Sequence, residues 1–138
     1  MGIKQISVFL ENTTGRLSEV TKTLAAAQIN LRAIIIADTE DFGILRIIAD
    51  KTEKAVDALT AAGFTTKQND VIAVEIEDTP GSLSGLMEVF KNAQINIEYC
   101  YASLEGQIGK AVVIFKLEDH EKGQKILSDK GFKMADNF

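Results

Sequence analysis

The chain has 138 residues, enough for one ordinary domain or two very small ones, and its 46% hydrophobic and 25% charged residues are the balance of a globular protein. Its formal charge of −5 divides into −1 over residues 1–70 (8 Lys/Arg against 9 Asp/Glu) and −4 over residues 71–138 (7 against 11). No basic stripe is present to neutralise phosphates, which argues against nucleic acid and against an anionic membrane surface as partners. No apolar run approaches the roughly 20 residues that span a bilayer, and no signal peptide pattern is present. The start "MGIKQI" places Ile6 where a myristoylation signal needs Ser or Thr. One cysteine, Cys100, forms no internal disulfide, which fits the cytoplasm.

The first element reads as a strand. "KQISVFLE" alternates, with Ile6, Val8 and Leu10 on one side. The turn "ENTTGRL" follows, and Leu17, Val20, Leu24 and Ala27 then recur at helical spacing, with Thr13 able to cap the helix. The helix runs out at "AQIN", Ala27–Asn30. Two β-rich runs come next, "LRAIIIA" and "GILRIIA", joined by a polar loop over Asp38–Phe42. A second amphipathic helix turns Val56 and Leu59 inward and stops at Gly63 before Phe64, the pattern of a glycine C-cap with its hydrophobic contact. A short last strand completes the unit.

From Ile72 the same order begins again. "ISVFLENTTGRLSEVTKTLAAAQINL" falls on "IAVEIEDTPGSLSGLMEVFKNAQINI" at an offset of 66, with 13 identities in 44 positions over residues 6–49 against 72–115. A two-residue insertion before the second helix of the later copy moves the offset to 68, so that "TEKAVDALTAAGF" meets "HEKGQKILSDKGF". This is a tandem duplication. In the second copy Leu83, Leu86, Phe90 and Ala93 form the helix face, Thr79 is the capping candidate and Pro80 suits the first turn. "IEYCYAS" and "GKAVVIF" form the hairpin, turned by Gly106 and Gly109, and Ile126 and Leu127 point inward from the last helix. Residues 1–68 and 69–138 are therefore expected as two abutting α+β units, each strand, helix, strand, strand, helix, strand, with both helices on one face of an antiparallel sheet. On the other face Ile34 and Ile36 fall beside Arg32, and Cys100 and Ala102 beside Glu98, which predicts that this face is covered by the sister unit or a second chain.

The candidate chemistry lies in the twin turns. A strand ending in a tight glycine turn at the mouth of a helix presents unpaired N–H groups and the positive end of the helix dipole, a place for a carboxylate or phosphate. Asn12 and Asp78 stand where they can meet an ammonium group beside that anion. Asn30 and Asn96 either contact a ligand or cap the helix C-terminus in a left-handed conformation. Arg16 either favours a second carboxylate or is simply solvated. Catalysis finds little: His120 and Cys100 each occur in one copy only, without a recognisable partner, and "LEDHE" reads as capping rather than metal binding. No metal-ligand spacing and no phosphate-cradling glycine loop appears. Tyr99 and Tyr101 read as core or interface aromatics, and the aromatic, basic sheet of an RNA binder is missing.

The pattern Asp/Asn-x-x/Pro-Gly-x-Leu, a helix, then "x-I-N-I/L" opening a strand, twice in register over residues 3–68 and 69–138, resembles the ACT domain. The resemblance implies ferredoxin-like βαββαβ units that pair side by side, bind a small molecule, usually an amino acid, and regulate metabolic enzymes. It implies one ligand loop from Asn12, Thr13, Thr14, Gly15 and Arg16 completed by Asn96, and another from Asp78, Thr79, Pro80, Gly81 and Ser82 completed by Asn30. Thr14 stands where proline is typical, which sets the first loop apart. A stand-alone sensor without cofactor or catalytic residue, acting as a homodimer on a separate enzyme, is the expectation. The alternative is an oligomerisation or protein-interaction module without a ligand.

Overall fold

The computed structural model describes residues 2–38, 41–104 and 107–136. Residues 39–40 and 105–106 belong to the two predicted hairpin loops, so that part of those turns, Gly106 included, lies outside the described residues. Eleven elements follow in order: β1 Ile3–Glu11, α1 Arg16–Ala26, β2 Leu31–Asp38, β3 Phe42–Ala49, α2 Thr52–Ala61, β4 Thr65–Glu77, α3 Ser82–Asn92, β5 Ile97–Ala102, β6 Lys110–Leu117, α4 His120–Asp129 and β7 Lys133–Ala135. Contacts divide the chain into two compact units. One is Lys4–Asn69; the other comprises Gly2 and Ile3 with the chain from Asp70 onward. Where a short strand closing one copy and a separate strand opening the next were expected, β4 is one strand of 13 residues, with the boundary at Asn69 and Asp70 inside it.

In the first unit the strand order is β2-β3-β1-β4, and in the second it is β5-β6-β4-β7. Both are βαββαβ units of the ferredoxin-like kind, their helices packed on an antiparallel sheet. Val8 pairs with Leu45 and Val74 with Val113; Leu31 pairs with Ala49 and Ile97 with Leu117. These registers put the offset at 66 for β1, α1 and β2 but already at 68 for β3. The two extra residues of the second copy therefore sit in the hairpin loop, and "GILRIIA" aligns with "AVVIFKL" rather than "GKAVVIF". A loop absorbs such an insertion, whereas a strand would have every later side chain turned to the wrong face.

The first core gathers Ile6, Val8 and Leu10 of β1, Val20 and Leu24 of α1, Leu45 and Ile47 of β3, and Ala55 and Leu59 of α2. The second gathers Ile72, Val74, Leu86, Phe90, Val113, Phe115, Leu117 and Leu127. The strand alternation holds, but the helix faces are shifted. Leu17 and Leu83, expected inside, are 40% and 43% exposed, and Ala55 and Gly123 are buried where Val56 and Ile126 are only partly so.

The predicted open face is also revised. Register irregularities between Leu31 and Ala33 and between Ile97 and Tyr99 mark bulges at Arg32 and Glu98. A bulge inserts one residue and turns the strand beyond it by one place. Ile34 and Cys100 accordingly pack against the helix-side cores instead of sharing a face with Arg32 and Glu98. The opposite faces still carry buried residues: Gln5, Ala33 and Ile48 in the first unit and Val71, Ala73, Tyr101 and Ile114 in the second.

Candidate functional site

Each glycine turn is a four-residue type II β-turn. The N–H of Arg16 donates to the Thr13 carbonyl at 3.4 Å, and that of Ser82 to the Thr79 carbonyl at 3.2 Å. The third residue takes φ 91°, ψ −13° at Gly15 and φ 89°, ψ −13° at Gly81, the left-handed geometry that this turn type imposes there. A side chain at either glycine would meet nothing within 4 Å, so the demand for glycine is one of backbone angle, not space. Pro80 occupies the second position of its turn, where its fixed φ is pre-set; Thr14 holds the same position in the first turn without that restraint.

The turns differ from expectation in how they meet their helices. Gly15 and Gly81 are themselves the N-cap residues, and neither supplies a side-chain cap hydrogen bond. Thr13 and Thr79 serve through their backbone carbonyls, while the Thr79 hydroxyl lies 2.7 Å from that of Ser82. Pro80 thus precedes the helix instead of lying in its first turn. Uncapped first-turn N–H groups remain available at the positive end of each helix dipole, the electrostatic requirement for a carboxylate. Asn12, Thr13, Thr14 and Gly15 are exposed, as are Asp78, Thr79, Pro80 and Gly81. Both turns are latched to the hairpin side of their sheets: the Asn12 N–H donates to the Asp41 carbonyl and the Asp78 N–H to that of Gly109, each at 2.9 Å.

At the first turn Leu10, Glu11, Asn12, Thr13, Arg16, Leu17, Ile36 and Gly43 enclose a cavity of about 180 Å³. That is below the roughly 300–1,000 Å³ of pockets for drug-sized ligands and suits a small metabolite. Ile36 and Gly43, from β2 and β3, were not legible as lining, because only strand pairing brings them to the turn. Arg16 is partly covered rather than simply solvated. Its guanidinium lies over the Phe64 ring, 4.7 Å from the centroid, and bonds Glu19 Oε2 at 2.7 Å, with the side chain only 28% exposed.

"AQIN" proves to be a Schellman motif. Gln28 and Gln94 take the left-handed conformation, φ 60° and 57°. Their N–H groups donate to Ala25 and Lys91, and those of Ile29 and Ile95 to Leu24 and Phe90, all close to 3.0 Å. The left-handed residue is therefore the glutamine, not the asparagine. Ile29 and Ile95 are the buried anchors, each 7% exposed. Asn30 and Asn96 are exposed and reach the far end of the sheet through their backbones: the Asp50 N–H donates to the Asn30 carbonyl and the Glu118 N–H to that of Asn96, both at 3.0 Å. Within one unit, turn and asparagine stand at opposite ends of an 11-residue helix, about 16 Å apart at 1.5 Å per residue. The structure assembles Asn12–Arg16 in one place and Asp78–Ser82 in another, but brings neither turn to the asparagine of its own unit.

Asn96 lines a second, open cleft of about 510 Å³ with Gln94, Ile95, Glu118, Asp119, His120, Glu121 and Lys122. Asp119 caps α4 by accepting from the Lys122 N–H at 3.1 Å. Burial lowers the His120 pKa below its ordinary value, against the opposing charge of Asp70. Among the described residues no group of three or more His, Cys, Asp or Glu could hold a metal ion, and no helix is long and apolar enough to cross a membrane.

The family model for the ACT domain pair matches residues 1–137. The chain is similar to the crystal structure of protein BT0572 from Bacteroides thetaiotaomicron, with 36% identity, a TM-score of 0.92, and coverage of 98% of this chain and 92% of that one. It shares its fold with the regulatory subunit of aspartate kinase from Thermus thermophilus (17% identity, TM-score 0.71, covering 95% and 94%). The corresponding subunit from Thermus flavus stands at 19% and 0.64, covering 94% and 92%. No curated protein matches the sequence.

Proposed function

Because the chain belongs to the ACT domain pair family, we propose that it is a regulatory sensor whose glycine turns bind an amino acid and whose output is the control of a separate enzyme. The observation that carries this reading is the pair of exposed type II turns, each ending in an uncapped helix N-terminus. The ligand carboxylate accepts from the first-turn N–H groups. Asn12 or Asp78, with backbone carbonyls, holds the ammonium group. As the ACT resemblance implies for paired units, Asn96 completes the Asn12–Arg16 site and Asn30 the Asp78–Ser82 site in a homodimer; the helix-length separation of each turn from the asparagine of its own unit supports this reading. Ligand binding then shifts the assembly by its differential affinity for two packings. The fold shared with aspartate kinase regulatory subunits supports a metabolic enzyme as the partner.

Calorimetric titration with the twenty amino acids tests the proposal. A ligand at 100 times its Kd should add about 2.7 kcal/mol of stability. Gly81→Val should remove or halve the response while the chain stays folded; no thermal shift with any amino acid would sink the sensor reading. A second reading, an interaction module without ligand, draws on the exposed Phe9, Phe42, Ile35 and Ile36 of the first unit. It requires that association survive Gly15→Val and Gly81→Val unchanged and that no amino acid alter it.

A further inference from the structure

The two copies differ in chemistry at a place where their backbones agree. In the first unit Arg16 stacks on Phe64 and is held by Glu19. The registers that relate the units place Ser82, Phe132 and Gly85 at these three positions. Phe132 keeps its place after Gly131 at the end of α4, its N–H donating to the Leu127 carbonyl as that of Phe64 does to Leu59. The cation and its carboxylate are both gone. Phe64 is buried, whereas Phe132 is half-buried, and a Cβ built on Gly85 meets nothing within 4 Å. In their stead is a cleft of about 410 Å³ lined by Phe132, Ser82, Glu75, Glu77, Lys110 and Lys133, among others.

We infer that this cleft over Phe132 is a subsite for the guanidinium group of a small ligand, which takes the position that Arg16 fills in the first unit. An aromatic face attracts a cation within about 6 Å of its centroid, and a planar guanidinium stacks on it where a compact ammonium does not. The carboxylate that Glu19 supplies in the first unit has two substitutes here. Glu75 is paired with Lys133 at 3.1 Å and Glu77 with Lys110, and the Glu77 hydrogen bond raises the Lys110 pKa. Lys133 is 75% exposed, so an incoming guanidinium displaces a solvent-facing lysine from Glu75 and adds two parallel hydrogen bonds that lysine cannot make. The subsite needs no carboxylate on the ligand, and so stands or falls apart from the glycine turns.

Calorimetry on the full chain with methylguanidinium, L-arginine, N-acetylarginine amide and methylammonium reads it out. Saturable binding of methylguanidinium at one site per chain is expected, at least about tenfold tighter than methylammonium. Equal affinity of arginine and its blocked amide would assign recognition to the side chain alone; tighter binding of free arginine would add the turn to the same ligand. Ser82→Arg with Gly85→Glu installs the built-in plug and should abolish binding, and Phe132→Leu, which keeps an apolar side chain in place, should weaken it by about tenfold. Arg16→Ser, which leaves Glu19 beside Phe64, empties the first unit and should raise the stoichiometry to two. Absence of saturable methylguanidinium binding, or equal binding by the plugged variant, overturns the inference.

Discussion

Gly123 on α4 offers a test of how the two copies distribute volume between helix and strand. A methyl group built at its Cα would overlap Leu117 Cδ1 of β6 and touch Ile72 Cδ1 at 3.5 Å. Both neighbours are 1% exposed and cannot swing into solvent. The equivalent pair in the first unit is Ala49 and Ala55: two alanines share the space that one leucine fills beside a glycine. Gly123→Ala gains about 1 kcal/mol of helix propensity and incurs about 1–3 kcal/mol of overpacking. The net effect in the wild-type chain is then a loss of about 0–2 kcal/mol. Leu117→Ala alone costs about 2–5 kcal/mol. In that background the clash is gone, and Gly123→Ala should stabilise by about 1 kcal/mol. The sign of the substitution inverts, with a coupling of about 1–3 kcal/mol between neighbours. Urea denaturation followed by tyrosine fluorescence is a selective assay, because the chain has no tryptophan and its two tyrosines, Tyr99 and Tyr101, both lie in β5 of the second unit. Equal changes of midpoint in the two backgrounds would refute the packing argument.

Gly15→Ala and Gly81→Ala should each cost about 1–2 kcal/mol, since an L-residue is placed in left-handed backbone without any contact to relieve or worsen. Asparagine at the same positions should cost less, and denaturant midpoints at constant slope check the ranking. Because burial lowers the His120 pKa, the folded state favours the neutral ring. Its contribution is present above the unfolded value near 6.5 and is lost as pH falls through that value to the folded one. The tyrosine-monitored midpoint should therefore drop between about pH 7.5 and pH 5.5, and His120→Gln should flatten the drop. An unchanged profile in that variant would show that other groups carry the pH dependence.

The duplication, the α+β class and the alternating core of β1 and β4 were legible in residue order because period and repeat are properties of the chain itself. Ile6, Val8 and Leu10 must share a face of any strand that contains them, and Gly63 before Phe64 spells a helix stop wherever it occurs. Features that depend on a neighbour were not legible. A bulge at Arg32 exists only against β3, and it alone decides that Ile34 joins the core. The hairpin position of the two-residue insertion is fixed by strand pairing, because identities at Gly43 and Ile48 happen to survive the wrong register.

In the candidate site, both glycine turns were legible in sequence as turns, since a positive φ is a local demand that glycine meets at low cost. It could not show that Arg16 turns onto Phe64, nearly 50 positions away, or that the same place in the second unit stands open over Phe132. Nor did "AQIN" disclose which of its four residues adopts the left-handed angle; the hydrogen bonds back to the helix settle that on Gln28 and Gln94. Local conformation is written in each short segment. Which side chains share a cavity is set by the closing of the sheet and the seating of helices upon it.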